Sequence, residues 1–376
     1  MSGKRCGLAI LSLLALFAIR PAHAQEANAQ GDWQKQWADV QAKAKGQDLN
    51  LTVHATNGSE QLVQVFQKRF PDIKVHTTAV GPSDMAPRIL TEQKNGVFAW
   101  DSWWAATSNM TSLVLPAGGF EKITDYFILP EIKDPSNWLA PQKDWYTADT
   151  GPYIFVPSYY QETSVWYNKD VVPGLDIKSA KDFLDPRLKG LISIRDPRRP
   201  NEGSYTLAAL SREDGLDFVK QIATQQDPTF IDNARQLTDT LLRGDKALVF
   251  GASEDVVEKC WASGGCKSVV RLPFGHLVFA RGVAVMKNAP HKEATTVWIN
   301  WLLSKEGQQA FVETWAKYND IGAISQRKDV PPNPKEPQSV PDYAHLDNYF
   351  LSGNQSGQGD VKAITSYFTG LRPAGG

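Results

Sequence analysis

The sequence has little cysteine and little histidine, with three and six residues respectively among 376. Five histidines follow residue 24, and they are scattered at positions 54, 76, 276, 291 and 345 rather than clustered. Neither Gly-x-Ser-x-Gly nor His-Glu-x-x-His occurs. A cluster of histidines would be expected for zinc binding or acid–base catalysis. These absences disfavour a secreted enzyme and predict neither a bound metal nor a cofactor.

Long apolar runs are also scarce. The basic pair Lys4 and Arg5 precedes an apolar run at 8–19, and small residues flank His23 at 22–24. This pattern predicts a secretory signal peptide at 1–24, with cleavage after residue 24. The run is shorter than the roughly 20 residues that span a membrane. The nearby Cys6 precedes the run, so no lipid anchor is expected and the mature protein is predicted to be free in the periplasm.

Charge of one sign is not in excess. Removing residues 1–24 takes away three basic residues and leaves 37 Lys and Arg against 41 Asp and Glu, a net charge of −4. Nucleic acid is therefore not an expected partner. The remaining chain, of about 350 residues, is too long for one comfortable core, so two lobes are expected.

Two cysteines remain after the predicted cleavage, Cys260 and Cys266. An exported protein reaches an oxidising compartment, so we predict one disulfide that closes a short loop. Two free thiols are the alternative. A metal site is less favoured because no histidine or third cysteine lies nearby in the sequence.

Strand and helix patterns alternate along the chain, which predicts an α/β fold with a parallel sheet and ligands at the carboxyl ends of its strands. Extended segments at 154–167 and 277–287 are expected to link the two halves. The other predicted strands are 49–55, 73–78, 97–103, 191–194 and 247–251, and the main predicted helices are 33–45, 60–70, 82–95, 204–210, 218–224, 234–243, 291–304 and 306–318.

Four segments, in order, resemble one protein family. They are FPDIKV at 70–75, WYNKD at 166–170, NAPH at 288–291 and WINWLLSKEGQ at 298–308. Together they resemble the solute-binding proteins of ABC importers, in the branch labelled iron(III) or putrescine/spermidine-like. The resemblance covers nearly the whole mature chain.

This resemblance implies a two-lobed, hinged, type II periplasmic-binding-protein fold. The solute would lie in the cleft, and the chain would cross between lobes twice, near 160–167 and 276–284. Lobe one would comprise 25–160 plus 276–376, and lobe two 161–275. The implied function is capture of a small polar organic solute by hinge closure of a monomer, followed by delivery to an ABC permease of the inner membrane. A periplasmic sensor receptor is an alternative partner.

Candidate ligand-binding residues in lobe one follow its strands. Asn57, Gly58 and Ser59 end the first strand, and Thr107 and Ser108 follow the third. Backbone N–H groups at such helix starts favour anions. The alternative is ordinary turn and cap chemistry.

In lobe two, Gly203, Ser204 and Tyr205 resemble a turn that family members place in the cleft. Three arginines precede it, at 195, 198 and 199. They are expected either to clamp an anion or to form a solvated cluster.

Aromatic and acidic residues favour a different ligand. Trp104, Tyr159, Tyr160 and Glu254 would suit a cationic amine such as thiamine or a polyamine. The alternative is that the aromatic residues pack in the core and the acid caps a helix.

Ferric iron is a further alternative. Iron-binding family members use adjacent tyrosines after a lobe-two strand, whereas this chain has residues 253–255, Ser-Glu-Asp, at that place. An organic solute is therefore preferred over iron.

Overall fold

The computed structural model of the chain describes residues 22–54, 58–147, 151–318, 324–333 and 340–371. Within them, a ten-stranded sheet runs through the molecule. Its strands are β1 (Asp48–Val53), β2 (Lys74–Ala79), β3 (Ser102–Ala106), β4 (Phe120–Glu121), β5 (Ile154–Asn168), β6 (Ile192–Arg195), β7 (Thr229–Ile231), β8 (Leu248–Phe250), β9 (Val269–Met286) and β10 (Phe350–Leu351).

Helices cover both faces of this sheet. They are α1 (Ala22–Ala44), α2 (Ser59–Arg69), α3 (Pro82–Lys94), α4 (Pro130–Lys133), α5 (Glu202–Asp214), α6 (Leu216–Gln225), α7 (Ala234–Leu242), α8 (Glu254–Ala262), α9 (Lys292–Leu303), α10 (Lys305–Tyr318) and α11 (Gln355–Gly370). Helix α1 begins eleven residues before the predicted helix at 33–45. Most of the predicted signal peptide lies outside the described residues. In the part of the chain that is described, no helix is long and apolar enough to cross a membrane.

The sheet has two parallel halves joined by antiparallel strands. Its order is β2-β1-β3-β9-β5-β8-β6-β7. Strand β1 pairs in parallel with β2 and β3, and β6 pairs in parallel with β7 and β8. We call the half built on β1–β3 lobe one and the half built on β6–β8 lobe two.

Strands β5 and β9 run through both lobes. They pair in lobe one through residues such as Phe155 with Val283, and in lobe two through Tyr167 with Val270. The extent of β5 agrees with the predicted segment 154–167. Strand β9 begins eight residues before the predicted 277, because a register shift at 273–275, Pro-Phe-Gly, interrupts its pattern without ending the strand.

Separate apolar cores lie on the two faces of each lobe. Neighbouring strand residues point to opposite faces, so Trp103 packs with α3 while Trp104 packs with α10. In lobe two, Val249 packs with α7 and α8, whereas Phe250 packs with α5 and α6. Helix α11 adds its apolar residues to the core shared by α5 and α6.

The predicted disulfide is confirmed. Cys260, near the end of α8, is bonded to Cys266, and their Cα atoms are 5.9 Å apart. Cys266 has a positive φ of 52°, and the backbone N–H of Val269 donates to its carbonyl. The bridge therefore fixes the turn that leads from α8 into β9.

Candidate functional site

A cavity of about 230 Å³ lies where lobe two meets the crossing strand β5. Strand ends and helix starts form its wall, as expected at the carboxyl edge of a parallel sheet. Its lining residues are Glu162, Thr163, Ser164, Trp166, Arg195, Glu202, Ala234, Gly251, Ala252, Ser253 and Glu254.

Three helices begin at this cavity. Their first residues are Glu202 of α5, Ala234 of α7 and Glu254 of α8. The Asn201 side chain accepts hydrogen bonds from the α5 backbone, whereas Ser253 makes no side-chain cap on α8. The cavity wall therefore carries the partial positive charge of several helix amino termini.

Each acidic helix start is held by an arginine. Glu202 of α5 pairs with Arg195 at the end of β6, and Glu254 of α8 pairs with Arg271 of β9. The Arg271 guanidinium also lies 4.7 Å from the ring centroid of Trp166. Both signs of charge are thus present in the cavity, and a polar solute can exchange hydrogen bonds with either.

The predicted turn at 203–205 is built on close backbone contact. A Cβ on Gly203 would overlap the carbonyl oxygen of Arg195 and lie 2.9 Å from its carbonyl carbon. A Cβ on Gly251 would lie 2.8 Å from the Gly203 nitrogen. Ser204 is buried, and its hydroxyl donates to the Asn201 carbonyl while accepting from the Asn201 N–H. Gly203 and Ser204 therefore seat the first turn of α5 against the end of β6, next to Glu202, which lines the cavity.

The remaining arginines of this loop pair with acids on lobe two. Arg198 donates to Asp196 from Nε at 2.8 Å, and Arg199 lies 3.4 Å from Asp232 with most of its side chain exposed. Arg198 and Arg199 are therefore arranged as the solvated cluster and not as a clamp on an anion.

The crossing strands carry a buried cation. Arg281 of β9 is 4% exposed, and its guanidinium lies 4.0 Å from the ring centroid of Trp315 and 5.4 Å from that of Tyr160. Burial lowers the pKa of Arg281, and the nearby Tyr160 hydroxyl and Glu162 carboxylate oppose that shift. Tyr160 and Glu162 are two residues apart on β5, so their side chains lie on the same face of the strand.

His54 follows β1 in the neighbourhood of this cation. Burial, and secondarily the charge of Arg281, lower the pKa of His54 to about 4. An unfolded histidine titrates near 6.5. Since the folded state resists protonation, the stability contributed by neutral His54 is present above about pH 6.5 and is lost as the pH falls toward 4.

We expect His54→Gln to reduce the acid sensitivity of the fold. Between pH 7.5 and 4.5 the parent protein should lose on the order of 2 kcal/mol more stability than the variant. Urea unfolding at the two pH values measures the difference. Equal losses in the parent and in His54→Gln would contradict the expectation.

The other lobe-one candidates lie at the start of α2. Gly58 has a φ of 98°, and a Cβ there would lie 3.1 Å from the Trp315 ring. Its N–H donates to the Gln61 side chain, and Ser59 is fully buried. Asn57 lies outside the described residues.

Trp104 and Tyr159 pack inside lobe one. Trp104 is 1% exposed and meets Phe311 edge-on. The Tyr159 hydroxyl donates to the Asp144 carbonyl at 2.8 Å, and its ring meets Tyr343. These positions correspond to the core-packing alternative for the aromatic residues.

Ser108 and Tyr205 are brought together at a second cavity, of about 440 Å³. It lies between the loop after β3, the start of α5 and helix α11. Thr107 is buried beside it and donates through its hydroxyl to the Ala280 carbonyl at 3.3 Å. Tyr205 stacks on Phe350. These residues are thus separated from Glu254, which lines the first cavity.

Sequence reasoning missed Glu162, Arg271, Arg281 and Trp315. A charged residue within an otherwise apolar strand pattern was the available signal for Arg281, in LVFARGVAVM at 277–286. Trp315 lies on α10, far along the chain from the residues it contacts, so no local pattern indicated it.

Comparisons with known proteins agree with this architecture. The family model of bacterial extracellular solute-binding proteins matches residues 61–346. An uncharacterized protein of Haemophilus influenzae is 29% identical over 281 residues, which cover 71% of this chain and 76% of that protein.

Solved structures share the fold. Ferric iron-binding protein A of Mannheimia haemolytica, in an open conformation, is 15% identical with a TM-score of 0.62, over 86% of this chain and all of that one. AfuA of Actinobacillus pleuropneumoniae, with fructose 6-phosphate bound, is 19% identical with a TM-score of 0.59, over 86% and 99%. Iron-bound HitA of Pseudomonas aeruginosa is 17% identical with a TM-score of 0.58, over 86% and 99%. The two-lobed α/β fold predicted from the sequence is confirmed, and the chain belongs to the bacterial extracellular solute-binding proteins, the binding components of ABC importers.

Proposed function

We propose that this protein captures a small polar organic solute in the cleft between its lobes. The proposal rests on the cavity at the crossing strand, where Glu162 of β5 adjoins the two ion pairs of lobe two. A solute there would touch both a lobe and the strand about which the lobes turn. Contacts made only in the closed state would favour closure.

The charge of the cavity supports a solute with several polar groups rather than a simple ion. Three carboxylates, those of Glu162, Glu202 and Glu254, line it with Arg195, while Arg271 pairs with Glu254. A cationic amine remains a second candidate, because these carboxylates and the Trp166 ring match its chemistry.

The tyrosines favour an organic solute over ferric iron. Tyr159 and Tyr160 are adjacent on β5, so their side chains leave opposite faces of the strand. Tyr159 donates to a backbone carbonyl, and the Tyr160 ring stacks on Phe279. The two hydroxyls therefore do not form a chelating pair. AfuA, with fructose 6-phosphate bound, is a structural neighbour with an organic ligand.

The proposed setting is the periplasm. It rests on the predicted signal peptide at 1–24 and on family membership. We propose a monomer without a lipid anchor or an enzymatic activity that delivers its solute to an ABC permease. Neighbouring genes for a permease and an ATPase would distinguish import from delivery to a sensor receptor.

A thermal-shift screen tests the proposal. The mature protein is heated with phosphorylated and carboxylated metabolites, with amines including thiamine and polyamines, and with ferric salts. A solute at 100 times its dissociation constant should stabilise the fold by roughly 2.7 kcal/mol. Glu254→Gln should weaken that shift, and Glu313→Gln, exposed on α10, should not. A shift with ferric salts alone, or an equal shift in Glu254→Gln, would contradict an organic solute in this cavity.

A further inference from the structure

The C-terminal segment, residues 340–371, is anchored in both lobes. Tyr343 and Leu346 belong to the core of lobe one, and the Tyr343 hydroxyl donates to the Tyr159 carbonyl at 3.0 Å. Helix α11 then packs on lobe two. Its residues in that core are Val361, Ile364 and Phe368.

Between these anchors the segment joins the crossing strands. Strand β10 pairs in parallel with β9, with Phe350 opposite Leu277 and Leu351 opposite Val278, and the Ser352 N–H donates to the Val278 carbonyl at 3.0 Å. On their other side, the same β9 residues pair with β5. The crossing is therefore three-stranded at this point.

Arg212, in the last turn of α5, holds the segment on lobe two. Its Nη1 donates to the Asp347 carbonyl at 3.1 Å, and its Nη2 donates to the Ser356 hydroxyl at 2.7 Å. Its Nε pairs with Asp360 of α11. Three contacts from one guanidinium thus span the segment on both sides of β10.

A close backbone approach holds the segment on lobe one. A Cβ on Gly353 would overlap the side-chain oxygen of Thr107 and lie 3.3 Å from the Ala280 Cβ. Helix α11 also contacts the π-helical turn at 110–114 in lobe one. The segment is thus seated on lobe one immediately after it leaves β10.

We propose that the C-terminal segment is a third connection between the lobes and limits how far the cleft opens. Rotation about β5 and β9 alone would separate Tyr343 and Leu346 from the α11 residues anchored in lobe two. The short stretch between these anchors is paired to β9, so wide opening must break that pairing or pull the segment from one core. The segment therefore restrains the open state without touching the first cavity.

Two variants release the segment from opposite lobes. Arg212→Ala removes the contacts on lobe two, and Gly353→Ala forces the segment away from Thr107. Spin labels at Lys68→Cys on α2 and Gln221→Cys on α6, both exposed positions, report the distance between lobes in the ligand-free protein. The protein used begins at residue 25 and so lacks Cys6, and its two native cysteines, Cys260 and Cys266, are paired with each other. Hydrogen exchange at 350–353 reports release of the segment.

Both variants should exchange roughly tenfold faster at 350–353 than the parent, and their distance distributions should broaden toward longer values. Arg243→Ala, which removes an exposed pair with Asp245 on lobe two, is the matched control and should leave both readouts unchanged. Faster exchange with unchanged distances would overturn the proposed restraint. Unchanged exchange would overturn the claim that these contacts hold the segment.

Discussion

Gly203→Ala should lower the free energy of unfolding by about 2–3 kcal/mol, as expected for overpacking against atoms that cannot move aside. The obstacle is backbone, the carbonyl of Arg195 at the end of β6. Gly251 also approaches α5 closely, since a Cβ on it would lie 2.8 Å from the Gly203 nitrogen. Chemical denaturation measures the loss.

The same substitution should weaken solute binding, because it displaces the first turn of α5 and with it Glu202. Gly359→Ala is the matched control: it lies on α11, and no neighbouring atom would lie within 4 Å of its Cβ. The free energy of unfolding of that variant should rise by up to about 1 kcal/mol, because alanine has a higher helix propensity than glycine. Equal stability of Gly203→Ala and the parent would contradict the close contact of α5 with β6.

Arg281→Met should lower both the stability of the fold and its affinity for the solute. Removing one partner of a buried charged group is strongly destabilising, and Arg281 interacts with Tyr160 and Glu162, so the free energy of unfolding should fall by about 3 kcal/mol. Binding of the solute found by thermal shift should weaken as well, because the charge of Arg281 acts on Glu162, which lines the first cavity. Calorimetric titration and urea unfolding give the two quantities.

Arg187→Met provides the control for this experiment. Arg187 pairs with Asp185 on the surface of lobe two, so binding should be unaffected there. A destabilised Arg281→Met protein that binds with parental affinity would assign Arg281 to the scaffold rather than to the site.

Much of the fold was predictable because its segments are local. Helices α2, α3, α7, α9 and α10 begin and end within two residues of their predicted limits. Strand β3, by contrast, begins at Ser102 instead of 97, because alternation in the preceding residues does not guarantee a pairing partner. Sequence periodicity indicates an element but not its hydrogen-bonded neighbours.

The C-terminal helix α11 was not predicted. Gly357 and Gly359 lower the helix propensity of its first half, and serine and threonine interrupt its apolar pattern. Its stability comes from Val361, Ile364 and Phe368 packing on lobe two. Tertiary burial therefore outweighs a weak local preference.

Only part of the candidate site could be predicted from the sequence, and the reason is geometric. A strand position fixes which residues share a face but not which face meets the cleft. Trp104 and Tyr159 therefore looked equivalent to Tyr160 in the sequence, yet they pack in lobe one. Glu254 and Gly203 follow strand ends, where topology itself directs residues toward the carboxyl edge; Glu254 lines the cavity, and Gly203 follows Glu202, which also lines it.

Small-angle scattering of the mature protein, with and without the solute selected by thermal shift, tests the central claim most directly. Capture between the lobes requires closure about β5 and β9. We predict that the radius of gyration decreases at saturation, and that Glu254→Gln needs more solute to reach the same value. An unchanged radius of gyration with the solute demonstrably bound would contradict capture by closure of the cleft.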